Sequence, residues 1–186
     1  MSPIQKLEHR VIAIAFIFTL MENLRNYLFQ RYTGVMLKKI DGKFKAFNEY
    51  IKINPELEKR LQQKNLQYEN SPNRIVLLEI LKWKNEEIKD DSLTNILKFI
   101  EDLEREKETS NYGKISLSDL RNNGPLAHGT KGISEQLLKE IYPPYGKDGL
   151  FNDTKTFLIK ICDFKGEWHN PYDMINQKII ELMEQQ

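Results

Sequence analysis

Apolar residues along this chain recur at three- and four-residue steps, and the elements they predict are helices. The densest run is Val11-Ile12-Ala13-Ile14-Ala15-Phe16-Ile17-Phe18-Thr19-Leu20-Met21, which continues through Glu22-Asn23-Leu24-Arg25-Asn26-Tyr27-Leu28-Phe29. A first long helix is predicted from near Ile4 to Tyr32, stopped at Thr33-Gly34. Its apolar character on all sides predicts a buried core helix in the middle of a bundle or at a subunit interface. Residues 35–72 are polar and charged. They carry one helix from about Phe44 to Gln63, interrupted at Pro55, which suits a first helical turn after Asn54. Ser71-Pro72-Asn73 starts a helix through Ile75, Leu77, Leu78, Ile80, Leu81 and Trp83. Asp91-Ser92 caps the next, whose Leu93, Ile96, Leu97, Ile100 and Leu103 form an amphipathic stripe. The charged run 101–108 that follows reads as a solvated helix face and linker.

Ser116 or Ser118 opens a short helix. Ser134 opens another, carrying Leu137, Leu138 and Ile141 and stopped by Pro143-Pro144. Asp153-Thr154 leads into Phe157, Leu158, Ile161 and Phe164, and Asn170-Pro171 begins a last helix through Tyr172, Ile175, Ile179, Ile180, Leu182 and Met183. There is no alternating strand pattern of convincing length, no repeat and no low-complexity segment. The expectation is an all-α bundle, one domain over 1–186, with 35–72 as a partly separate helical insertion.

Composition narrows the class. Hydrophobic content of 40% and charged content of 30% are those of a globular protein, and a formal net charge of +1 excludes a strongly basic nucleic-acid coat. The single cysteine, Cys162, excludes an internal disulfide framework and points to a reducing, cytoplasmic setting. One Cys and three scattered His assemble no zinc-ligand spacing, so no metal and no cofactor are expected. Lys6, His9 and Arg10 ahead of the apolar run imitate a signal peptide, but no small-x-small cleavage site follows. The run is also shorter than the ~20 apolar residues a membrane span needs.

Candidate chemistry concentrates in Leu120-Arg121-Asn122-Asn123-Gly124-Pro125-Leu126-Ala127-His128-Gly129. The segment unites a guanidinium, two amides and an imidazole, and each suits RNA phosphodiester chemistry. Attack by a ribose 2′-OH needs a group of near-neutral pKa to move protons, which is His128. It needs a fixed cationic fork against the developing charge, which is Arg121. An amide, Asn122, holds the phosphate or orients the imidazole. Residues seven apart on a straight helix stand ~10 Å apart along its axis. Gly124-Pro125 breaks such a helix, because the residue before proline avoids the helical region. A short helix ending around Asn123, a bend, and a new turn bearing His128 are therefore predicted. The bland reading competes with this one: Asn122-Asn123 as helix-end residues and His128-Gly129 as a helix C-terminus with a Gly stop. His9 reads as surface, His169 as packed or capping, and Trp83 and Trp168 as core or interface aromatics.

The segment resembles the signature of HEPN-domain ribonucleases, an Arg often followed by Asn and a His a short spacer later. Leu120-Arg121-Asn122 with Ala127-His128-Gly129 is similar in particular to the HEPN domains of CRISPR-associated type III accessory ribonucleases. Asn170-Pro171-Tyr172-Asp173-Met174-Ile175-Asn176 is similar to their C-terminal helix. The resemblance implies a HEPN-like bundle forming a homodimer. It also implies a metal-independent endoribonuclease in antiviral defence, which cuts single-stranded RNA to leave a 2′,3′-cyclic phosphate and a 5′-OH. Gly124-Pro125 departs from the pattern inside the motif. The sensor domain of the larger relatives, the CARF domain that binds cyclic oligoadenylate, has no counterpart in this pattern. An isolated effector domain, a piece of a longer chain, and a stand-alone toxin or abortive-infection protein with an antitoxin or regulator all fit. A catalytically silent HEPN-like dimerisation or partner-binding module, and an unrelated helical interaction domain, stay open beside the enzyme.

Overall fold

In the computed structural model the long apolar stretch forms α1, Pro3–Thr33. It ends where Gly34 turns left-handed at φ 72° and its N–H donates to the Gln30 carbonyl at 2.9 Å. The structure describes residues 3–69, 72–123, 134–141 and 154. The chain divides into two compact units, 1–144 and 145–186, and every element named here belongs to the first. The described part is mostly helical, and no helix in it is long and apolar enough to cross a membrane. The helices expected after Asp153 and after Asn170, together with Cys162, Trp168 and His169, lie outside the described residues.

The α1 helix is not buried all round. Ile14, Ile17, Phe18, Met21, Leu24, Arg25, Leu28 and Phe29 face inward at three- and four-residue steps. Phe16 and Tyr27 are more than half exposed. Eleven residues make just over three whole turns, so these two rings share the outer side of the helix.

Residues 35–69 fold onto the end of α1. The expected single helix over 44–63 is two, α2 at Lys45–Lys52 and α3 at Pro55–Gln63, with Pro55 opening the second. A proline in the middle of one continuous helix would clash with the preceding turn, whereas at a first turn it costs nothing. Phe47 and Ile51 of α2 and Leu57 and Leu61 of α3 are spaced i,i+4, so each short helix buries one edge. They meet Phe29 of α1 and Val76, Leu77 and Ile80 of the next helix in one core. Phe29 lies 5.5 Å from the Phe47 ring in a tilted pair and 5.9 Å from Tyr50 edge-on.

Asn73 caps α4, Arg74–Ile88, accepting from the N–H groups of Ile75 and Val76 at 3.1 and 3.0 Å. The helix α5, Asp91–Glu104, doubles back along it after Lys89 turns left-handed. The α5 cap is Asp90, one residue before the expected Asp91-Ser92; its carboxylate takes the N–H groups of Ser92 and Leu93 and the hydroxyl of Tyr32 at 2.7 Å. Burial and the neighbouring Asp90 push the Tyr32 phenol up to about 12. Between α3 and α4, burial pushes Glu79 up, but hydrogen bonds from Lys64 and Arg60 outweigh it and hold its carboxyl below the usual range.

The charged run is helix at 101–104 and linker at 105–106, as expected, and departs from that only at 107–108. The α5 helix stops at Glu104, and 107–115 form a hairpin: β1, Lys107–Thr109, antiparallel to β2, Gly113–Ile115, with Lys107 opposite Ile115. Three-residue strands are too short to show an alternating pattern. The hairpin leads into α6, Leu117–Asn123, and is held from outside by α7, Glu135–Ile141, whose Glu140 carboxylate accepts from the Ser110 hydroxyl.

Arg25 is 1% exposed and donates from Nη1 to Glu104, near the end of α5. Its Nη2 is also out of solvent and meets no acceptor among the described residues. Removing one member of a buried ion pair strands the other charge and costs about 3–5 kcal/mol, whereas replacing both with apolar groups of like size is near neutral. Glu104→Leu is therefore expected to destabilise the protein by about 3–5 kcal/mol, and Arg25→Met with Glu104→Leu to recover most of that loss in urea denaturation. A single variant no less stable than the double would contradict this role for the pair.

Candidate active site

The site starts from the way α6 is made. Ser116 and Asp119 cap its start reciprocally. The Ser116 hydroxyl accepts the Asp119 N–H at 3.2 Å, and Asp119 Oδ2 accepts the Ser116 N–H at 2.9 Å and its hydroxyl at 2.6 Å. This is a capping box with Asp in place of Glu, and it lets so short a helix form at all. Leu117 and Leu120, one turn apart, are buried and press α6 onto α1. The face opposite is left to solvent.

Arg121 stands at the solvent edge of the last turn of α6. Its guanidinium carbon lies 4.8 Å from the centroid of the Phe18 ring. Phe18 itself is buried in the inner side of α1. The ring face attracts the cation by ~0.5–1 kcal/mol at an exposed site and more where water is excluded. It restricts where the fork can lie while leaving its N–H groups available to an anion. Nη1 donates to Asn122 Oδ1 at 3.2 Å, so the neighbouring amide shares the same exposed edge. Arg121 and Asn122 are thus brought together. α6 is described as far as Asn123. Gly124-Pro125 and His128 lie outside the described residues, as does the predicted bend. His9 falls within α1.

Phe18 is the residue that sequence reasoning missed. It belongs to the apolar run read only as core, and no local signal marks one ring of that run as a platform for a cation about a hundred positions later. Trp83 proves half-buried against the core around Phe47.

Losing a Ser N-cap costs about 1 kcal/mol. Ser116→Ala should lower stability by that amount and speed amide exchange of Leu120 and Arg121 more than that of Ile96 and Ile100 in α5. Equal protection in both helices would show that α6 does not depend on its cap. Compared with known proteins, the chain matches no family model, no curated protein and no solved structure.

Proposed function

We propose that the protein is a metal-independent endoribonuclease of the HEPN kind, cutting single-stranded RNA by 2′-OH attack. The observation that carries the reading is the exposed Arg121 fork, steadied over Phe18 and bonded to Asn122 at the end of a capped helix. Among the described residues Arg121 meets an aromatic face and an amide and no carboxylate, which leaves its charge for an anion.

In the reaction, His128 takes the proton of the 2′-OH as the ribose oxygen attacks phosphorus, and the bond to the 5′-oxygen breaks. Arg121 meets the charge that builds on the non-bridging oxygens, and Asn122 holds the phosphate or the imidazole. A second proton-moving group on the leaving side is supplied most simply by a second copy of the motif across a two-fold axis. The homodimer proposed here therefore joins surfaces flanking α6. A contact through Phe16 and Tyr27 would not do this. Phe18 and Arg25 lie seven residues apart, nearly two whole turns, and so share one side of α1; Phe16 and Tyr27 lie on the other. A cytoplasmic role in antiviral defence, under a sensor domain or an antitoxin, is part of the same proposal.

Fluorescent single-stranded RNA incubated with the protein in EDTA tests it. Cleavage is expected, with Arg121→Ala and His128→Ala each losing roughly 10²–10³ in rate while melting close to wild type. Cutting that needs Mg²⁺ or Mn²⁺ would contradict the mechanism, and a stable dimer that never cuts would make the chain a silent dimerisation module. For the shared site, mixing Arg121→Ala with His128→Ala protein should give an activity above that of either homodimer, because each mixed site then holds one wild-type Arg and one wild-type His. A mixture as inactive as its parts, after subunit exchange is verified, would place each site within one chain.

A further inference from the structure

A groove of about 600 Å³ opens between the start of α4 and the end of α5. Its apolar part is Ile75, which is half exposed, and Leu78. Three carboxylates and three cations border it, so its formal charge looks balanced. The ion pairs undo that balance. Glu101 is taken by Lys82, Asp102 by Arg105 and Glu104 by the buried Arg25. Arg74 and Lys98 are left facing the groove with no carboxylate partner among the described residues.

Two further observations give this surplus a direction. Arg74 Nη1 is out of contact with solvent and meets no acceptor among the described residues. A buried donor without a partner costs about 1–3 kcal/mol, more when it is charged, so the position favours an incoming acceptor. Arg74 is also the first residue of α4, at the positive end of a fifteen-residue helix whose first turn holds no acidic residue. A cation there adds to the helix dipole, and both favour an anion. The groove is also placed near the candidate site. Glu104 borders it and pairs with Arg25, while Arg121 lies over Phe18, ~10 Å farther along the same side of α1.

We infer that this groove binds phosphodiester groups of a single-stranded RNA, with Arg74 and Lys98 holding the backbone beside the cutting position and Ile75 and Leu78 meeting ribose or base. The inference rests on the ribonuclease reading for its ligand, and on the pairing of charges for its place.

The probe is a short fluorescent single-stranded RNA methylated at every 2′-OH, which keeps the phosphates and removes the nucleophile. Its affinity is read by polarisation at low and at physiological salt. Arg74→Gln and Lys98→Gln should each weaken binding roughly three- to tenfold, the scale of one partly exposed charge-assisted contact. Each should also flatten the salt dependence by about 0.7 in the log–log slope, the share of one single-strand phosphate. On cleavable RNA, KM should rise with kcat unchanged, and Arg74→Lys should recover part of the loss. Lys59→Gln, on the exposed side of α3, should change nothing. Lys98 is exposed, so its variant reports even where Arg74→Gln fails to fold. A folded double variant that binds as tightly as wild type, with the same salt slope, overturns the groove and leaves the ribonuclease reading standing. A wild type that binds the methylated strand but never cuts RNA removes the ribonuclease reading and keeps the groove. A wild type that binds no strand removes both.

Discussion

Burying the guanidinium of Arg25 costs several kcal/mol unless a carboxylate meets it inside the protein, and Glu104 is that carboxylate. The pair ties the end of α5 to the middle of α1. From that point the chain has only the hairpin, 107–115, before α6 begins. The start of α6 is therefore held near α1. Leu117 and Leu120 then seat it, and Phe18 meets Arg121 two turns along α1 from Arg25. One side of one helix thus sets both an internal charge pair and the attitude of an exposed cation.

The same pairing decides what the nearby surface can attract. A protein of formal net charge +1 has no general hold on nucleic acid. Local surplus has to be made by spending carboxylates elsewhere. Arg25, Lys82 and Arg105 absorb the three acids at the end of α5, and this leaves Arg74, Lys98 and, farther along α1, Arg121 as cations without carboxylate partners among the described residues.

Much of the fold is legible in the sequence because its signals are local. Gly34 stops α1, Pro55 opens α3, Asn73 caps α4, and the stripe from Leu93 to Leu103 makes α5. The hairpin was not legible, since three-residue strands among Lys, Glu and Thr carry no burial period. The outer side of α1 is not legible for a related reason: Phe16 and Tyr27 are aromatic like Phe18 and Phe29, and packing is what separates them. At the candidate site, Arg121 and Asn122 stand out by residue type. The Phe18 platform, the Arg25–Glu104 pair and the unspent Arg74 are all contacts between distant positions, and no local pattern announces them.

In the proposed mechanism this surface works on RNA through the ribose itself. The most direct measurement is the chemistry of the ends left on a cut strand, read by mass spectrometry, beside a matched strand carrying one deoxyribose on the 5′ side of the cut. The expected ends are a 2′,3′-cyclic phosphate and a 5′-OH, with no cut at the deoxy position. A 3′-OH with a 5′-phosphate, or unchanged cutting of the deoxy strand, would show water attacking phosphorus and would contradict the roles given to Arg121 and His128.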